Sequence, residues 1–412
     1  MNGATTFCGI LSLASAVVGA SHNSSVVSIP HAYTHRLPDG FIGNLNQTFV
    51  NGTHIPGNSS INQLLGEASK APFISFDQEF LDILGENPEV KLVEYKTDDK
   101  FAFEFGVWVP ELHEVWFTSS VEQPHVQLYS LNLRTNKVKP LTGLSRSIVN
   151  PNGGYYFEGK VYLGTIASNE THRAGVYSID VKTLEVETIV NSYFGAPFNG
   201  VDDLVWAKRG NSKYLYFSDL DVSWVLYKNP PQSQLPVNLW RWDPQDEILL
   251  PVISRNEVQP NGVRVSPDMR TLYVTDSSAV YFQQGRDAAP AGPSVASWLG
   301  PYIYKYDLDD EMFPVNRRVF GLARRMIADG LHCDDKGRVW TGEGEGIVVR
   351  NPRGKVIGIF NVMYFLEDSA SLFGAIANFA LAGDTLVVEA GTKLWTVKLG
   401  ETVVSRNSSI VN

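Results

Sequence analysis

Residues 260–276 read PNGVRVSPDMRTLYVTD. The stretch holds a short apolar run (Val263 to Val265), a tight-turn signal (Pro267-Asp268) and a second run rich in β-branched and aromatic residues (Leu272 to Val274). That is the pattern of two antiparallel strands joined by a turn. The run YIYKYDLDDEMFPVNRRVF follows at residues 302–320 and supplies a third strand, a polar turn and a fourth. The same order recurs along the chain. FGVWVPELHEVWFTSS with VQLYSLNLRTNKVKPL makes one unit, and NGGYYFEGKVYLGTI with AGVYSIDVKTLEVETI a second. VDDLVWAKRGNSKYLYFSDL with NLWRWDPQDEILLPVI makes a third, ahead of the quoted fourth. ADGLHCDDKGRVWTGEGEGIVVRNPRGKVIGIF and IANFALAGDTLVVEAGTKLWTVKL make the fifth and sixth, the former with an Asp334-Asp335-Lys336-Gly337 turn. Four-strand units at spacings of about 50 residues predict propeller blades around a central channel. The expected fold is an all-β, six-bladed β-propeller with a central metal site, over residues 73–400.

The flanks read differently. Residues 1–20 resemble a secretory signal, with an apolar run from Phe7 closing on Val18-Gly19-Ala20. Residues 21–72 are rich in Asn, Ser, Gly and Thr and predict a partly extended, glycosylated arm. Asn-x-Ser/Thr triplets begin at Asn23, Asn46, Asn51, Asn58, Asn169 and Asn407. Residues 401–412 predict a C-terminal tail. The expected setting is the secretory pathway or the exterior.

The balance of 34 basic against 44 acidic residues leaves a net charge of −10, which argues against nucleic acid as a partner. No later segment approaches the length of a membrane span, so no membrane partner is expected. The sequence sets no oligomeric state. Once the signal is removed Cys333 alone of the two cysteines remains; no internal disulfide can form, and an apolar strand pattern makes it a core residue. His332 likewise reads as a core histidine.

Four polar residues recur where an innermost strand begins: Glu104, Asp202, Asn261 and Asp329. They stand 98, 59 and 68 residues apart, one or two blade lengths. Equivalent blade positions meet at the axis, so four oxygen-bearing side chains converge there. Converging carboxylates repel unless a cation sits among them. All-oxygen ligands favour one divalent cation, Ca²⁺ ahead of Mg²⁺, Mn²⁺ or Zn²⁺. No His-Glu-x-x-His helix, Gly-x-Ser-x-Gly elbow or phosphate-binding Gly loop is present. Two inserts, 220–238 and 277–301, carry the aromatics Trp224, Tyr227, Tyr281, Phe282 and Trp298 and read as lids or surface elaboration.

These segments resemble the gluconolactonase, or senescence-marker-protein-30, family, and most closely its fungal lactonohydrolase branch. The likeness rests on FNGVDDLVW with LYFSD, PNGVRVSPDMRTLYVTD, and ADGLHCDDKGRVW with GEGIVVRNPRGKVIG, in order, with PFISFDQEFLDILGENP, FEFGVWVPE and VWFTS before them. It implies a lactone substrate and one divalent ion held by Glu104, Asp202, Asn261 and Asp329. It implies Asp329 as general base or nucleophile and Asp203 as the acid behind the second ligand. Two departures stand out. Many members carry Asn where this chain has Asp202, whose extra charge should tighten the ion. Pro197-Phe198-Asn199 stands where the family has an Arg before that ligand, which removes the basis for sugar-acid recognition by that Arg. The aromatic inserts favour a less polar lactone, such as a pantolactone-like or polyketide-derived ring. An arylesterase or phosphotriesterase would use the same residues. A strictosidine-synthase-like propeller needs no such set, and a non-catalytic binding propeller with a structural ion is the reading from another class.

Overall fold

The computed structural model describes residues 26–121, 125–144, 148–168, 172–223, 233–281, 294–295, 300–366 and 374–405. The expected signal, Asn23, Asn169, Asn407, residues 224–232 of the first aromatic insert and most of the second, including Trp224, Tyr227, Phe282 and Trp298, lie outside these residues, as does the side chain of Tyr281.

The described residues form six sheets arranged as blades, antiparallel within each four-strand unit. The first comprises strands Glu104–Val109, Glu114–Thr118, Leu128–Asn132 and Lys137–Pro140, paired in chain order. Second, third and fourth blades repeat this plan within residues 151–190, 201–254 and 260–322. The innermost strands of adjacent blades pack against one another around the ring, and Gly330 N donates to Ala377 O (2.9 Å) between the fifth and sixth.

Turn chemistry fixes each hairpin. In the fifth blade the fully buried Asp334 carboxylate accepts from Lys336 N (3.0 Å), Arg338 N (2.9 Å), Arg338 Nε (2.6 Å) and Trp340 Nε1 (3.0 Å). Gly337 supplies the left-handed residue of that turn, at φ +77°. In the fourth, Asp268 accepts from Ser266 Oγ and Arg270 N. Strand faces turned toward neighbouring blades carry the apolar residues. Trp116, Trp240 and Trp340 are completely buried between sheets, and each contributes about 3–5 kcal/mol against truncation to Ala.

The N-terminal segment departs from the expected arm. Residues 26–71 are folded, because apolar residues scattered through this polar stretch find a common core. Helix Ser59–Ala68 is capped by Asn58, whose side chain accepts from Ile61 N (3.1 Å). It buries Ile61, Leu65 and Ala68 with Ile29, Val50, Ile55, Ile74, Val348 and Ile359. Strand Phe73–Ser75 joins the outer edge of the fifth blade antiparallel to Val356–Asn361, and Val26–Ser28 pairs with it in parallel, so that sheet has six strands. Helix Gln78–Leu84 then crosses to the sixth blade, burying Phe80, Ile83 and Leu84.

The sixth blade also differs from a four-strand unit. Long strands Phe379–Ala390 and Lys393–Val404 pair with Glu89–Tyr95 from the opposite end of the chain, Val397 opposite Val90. This closes the ring by hydrogen bonds between chain ends and covers a strand edge. The last of these strands reaches Val404, into the expected tail. Among the described residues no helix is long and apolar enough to cross a membrane.

Candidate active site

Four of the six innermost strands share an irregularity where they begin. In the first blade Glu104 faces Thr118 and Val107 faces Trp116, so three steps on one strand match two on the other. The same extra residue occurs between Pro151 and Gly154, Val201 and Leu204, and Pro260 and Val263. Such bulges re-aim side chains and are frequent beside active sites. These four blades thereby offer Glu104, Asn152, Asp202 and Asn261 at one end of the channel, and Asp329 and Asn378, just ahead of the innermost strands of the fifth and sixth blades, complete the ring. The four expected residues are in this ring.

The repeated sequence LYFSD/LYVTD explains how neighbouring blades hold each other there. Ser218 Oγ accepts from Asp203 N (3.0 Å) and donates to Asn261 O (2.7 Å). One blade on, Thr275 Oγ1 accepts from Gly262 N (2.7 Å) and donates to Asp329 O (3.2 Å). The following acids clamp the incoming chain. Asp219 accepts from Asn199 N (2.8 Å) and Gly200 N (2.9 Å), and Asp276 from Gln259 N (3.1 Å). Close approach requires glycine: a Cβ on Gly262 would lie 2.4 Å from Asp329 O, and one on Gly330 2.6 Å from Asn378 Cγ.

Electrostatics identify the ring's centre. Glu104 and Asp202 are buried, and Asp329 is partly accessible. Burial holds the Glu104 carboxyl well above the usual range, with Asp329 and then Asp202 adding repulsion. Asp202 is raised by burial, then by Asp329 and Asp203. Burial pushes Asp329 up to about 7, against the pull of Asn261 beside it. Among the described residues, no three His, Cys, Asp or Glu side chains are drawn together in the contact that grips a metal. The three acids are near enough to repel but not in ligating contact. The Asn261 amide is steadied by Ser277 Oγ (3.0 Å).

Asp203 faces another way. Its Oδ2 accepts from Arg264 Nη1 (2.6 Å) and Val263 N (3.0 Å), and its Oδ1 from Leu204 N (2.9 Å). Its carboxylate thus bridges the third and fourth blades, and its backbone reaches Asn261 through Ser218. Arg264 is thereby engaged and does not neutralise the three acids. A divalent cation fits this donor set: hard oxygen donors, uncompensated charge and a position shielded from bulk water.

His332 is a core residue. Its ring lies 4.7 Å from that of Phe379, its Nε2 is 3.4 Å from Asn378 Oδ1, and burial pushes it down to about 3. Cys333 is buried among Tyr273, Ile303 and Leu331. Asn152 and Asn378 are the site residues that sequence reasoning missed. Their signal was present: Pro151-Asn152-Gly153 repeats Pro260-Asn261-Gly262, and Ala377-Asn378 parallels Ala328-Asp329.

No family model matches the chain. It is 28% identical over 318 residues to the lactonohydrolase oryL of Aspergillus oryzae, covering 74% of this chain and 70% of that protein. To lactonohydrolase oryH of the same organism it is 26% identical over 393 residues, covering 80% and 82%. A gluconolactonase of Zymomonas mobilis is 24% identical over 213 residues, about half of each chain. A solved gluconolactonase of Xanthomonas campestris superposes with a TM-score of 0.60 at 20% identity, covering 80% of this chain and 94% of that one. That likeness carries the fold. By sequence, then, this chain is similar to two lactonohydrolases and a gluconolactonase, and by architecture to the gluconolactonase fold.

Proposed function

We propose that the chain is a lactonohydrolase that depends on one divalent cation, Ca²⁺ before Mg²⁺, Mn²⁺ or Zn²⁺, held by Glu104, Asp202, Asn261 and Asp329. The reading is carried by one observation: acids from the first, third and fifth blades lie near enough to repel one another at the channel end, with no basic side chain among the described residues beside them to offset the charge. The lactonohydrolase relatives point to the substrate class. When bound, the cation supplies Lewis-acid polarisation of the lactone carbonyl.

The chain's own groups do the rest. Asp329 is the most accessible of the three acids, and its carboxyl takes a proton from water as that water adds to the carbonyl carbon. The same carboxyl returns the proton to the ring oxygen as the C–O bond breaks. The sum is one lactone and one water giving one hydroxy acid. Glu104, Asp202 and Asn261 would hold the cation, and Asp203 holds the Asn261 strand in register through Arg264 and Ser218 rather than exchanging protons. The chain follows the secretory route in this reading. Asn46 and Asn51, both exposed, would carry glycans, and Asn58 is half-buried.

The test is acid release from a panel of lactones, aryl esters and phosphotriesters, with native, EDTA-treated and Ca²⁺-restored protein and with Asp329→Ala. Lactone opening that EDTA abolishes, Ca²⁺ restores and the variant lacks is the expected result. Turnover confined to aryl esters or phosphotriesters would reassign the substrate. EDTA-insensitive opening would remove the cation from the account.

A further inference from the structure

The ring of inner-strand residues has six members, and four serve the proposed cation. We infer that the remaining two, Asn152 of the second blade and Asn378 of the sixth, are positioning residues, each fixing one ligand carboxylate by an amide hydrogen bond across a blade boundary. This rests on the cation site proposed above.

Both side chains are almost fully buried, at 7% and 2% exposure. Phe379 N donates to Asn378 Oδ1 (2.8 Å), which sets the amide's orientation and turns Nδ2 toward the neighbouring blade. There Nδ2 donates to Glu104 Oε2 (2.8 Å). The side chain is wedged between two glycines: a Cβ on Gly106 would lie 2.9 Å from Asn378 Oδ1, and one on Gly330 2.6 Å from its Cγ. A group packed this closely has one place to put its amide. Across the ring, Asn152 Nδ2 donates to Asp202 Oδ1, and Gly153 lets the Asp202 backbone approach, since a Cβ there would lie 2.1 Å from Asp202 O.

The chemistry favours Asn over the alternatives. An amide N–H₂ donates to a carboxylate and stabilises its charged, cation-binding form. Asp at either position would add a fourth buried negative charge. An apolar residue would leave one carboxylate oxygen buried without a donor. Partners that orient ligating carboxylates typically contribute 10–100-fold to metal affinity. The two acids that receive these amides, Glu104 and Asp202, are the two most buried of the three. Asp329, which must move protons, receives none from these two residues.

Calorimetric titration of Ca²⁺ into chelator-treated full-length protein tests this directly, with Asn378→Ala and Asn152→Ala beside the wild type and thermal unfolding confirming that each variant is folded. Each substitution should weaken Ca²⁺ about 10–100-fold. The two positions lie in different blades, so failure of one variant to fold leaves the other informative. A double-mutant cycle separates positioning from general packing. Asn378→Ala should weaken Ca²⁺ no further in a Glu104→Gln background, whereas it should add fully to Asp202→Asn. Affinities within twofold of wild type in both single variants, or full additivity with Glu104→Gln, would overturn the inference. A wild-type protein that takes up no divalent cation would instead overturn the cation site itself.

Discussion

Replacing Asp203 by Asn discriminates most sharply between a structural and a chemical role for the acid beside Asp202, a proposed ligand. The Asp203–Arg264 pair is 2.6 Å apart, with side chains 5% and 2% exposed. Removing one partner of such a pair typically costs about 3–5 kcal/mol, because the other charge stays buried. Arg264 Nη1 keeps Val263 O (2.7 Å) and Leu204 O (3.2 Å) as acceptors, which places the expected cost at the lower end, about 3 kcal/mol. For 412 residues, an unfolding entropy of about 2.1 cal/mol/K per residue makes that a fall in Tm of about 3–4 °C. Scanning calorimetry in saturating Ca²⁺ measures it. Asp203→Asn with Arg264→Met should recover most of the loss, since the second change removes the guanidinium charge that the first leaves buried without its partner. Lactone hydrolysis by Asp203→Asn should keep its pH profile and lose less than about tenfold in rate, a loss of about 1.4 kcal/mol in transition-state stabilisation. A Tm within 1 °C of wild type, together with a hundredfold loss of turnover, would refute this reasoning and return Asp203 to the chemistry.

Further expectations follow from the same geometry. Burial pushes both Asp329 and Asp219 up to about 7 from an ordinary 3.8. The folded protein therefore holds more protons than the unfolded chain between about pH 4 and pH 7, and its stability in EDTA should fall as pH rises through that window. Ca²⁺ should reduce that fall, and a Tm in EDTA that climbs from pH 5 to pH 8 would contradict the assignment. Gly262→Ala places a Cβ 2.4 Å from Asp329 O; it should cost about 1–3 kcal/mol in unfolding free energy and at least tenfold in turnover. Cys333 is buried, and burial pushes its thiol far up, so a thiol reagent should label it in denaturant and leave the native protein unmodified over hours.

How much of this was legible beforehand depends on the range of the forces involved. Hairpins such as Val263–Val274 were readable because alternation and turn residues are local. Glu104, Asp202, Asn261 and Asp329 were readable because blade spacing turns sequence distance into angular position. Asn152 stood in the same Pro-Asn-Gly context as Asn261, but an amide facing a carboxylate of the next blade leaves no charge pattern to notice. The course of residues 26–95 was hidden for a different reason. Whether Phe73–Ser75 extends the fifth blade and carries Val26–Ser28 with it, or Glu89–Tyr95 completes the sixth, is decided by pairings with residues about 300 positions away. Low local apolar content made Ile29, Val50 and Ile61 look incidental until Val348 and Ile359 covered them. Asp203 adjoins Asp202 in the sequence, but whether its carboxylate faces the axis or the blade boundary depends on the bulge at Val201 to Leu204.

The most direct test of the central claim is a titration of lactone hydrolysis against Ca²⁺ equivalents in chelator-treated protein, with Glu104→Gln in parallel. Activity rising linearly to a plateau at one equivalent per chain, with the variant requiring at least tenfold more Ca²⁺, is the predicted result. Full activity without added cation, or a variant that saturates at the same Ca²⁺ concentration as wild type, would contradict a single ion held by this ring.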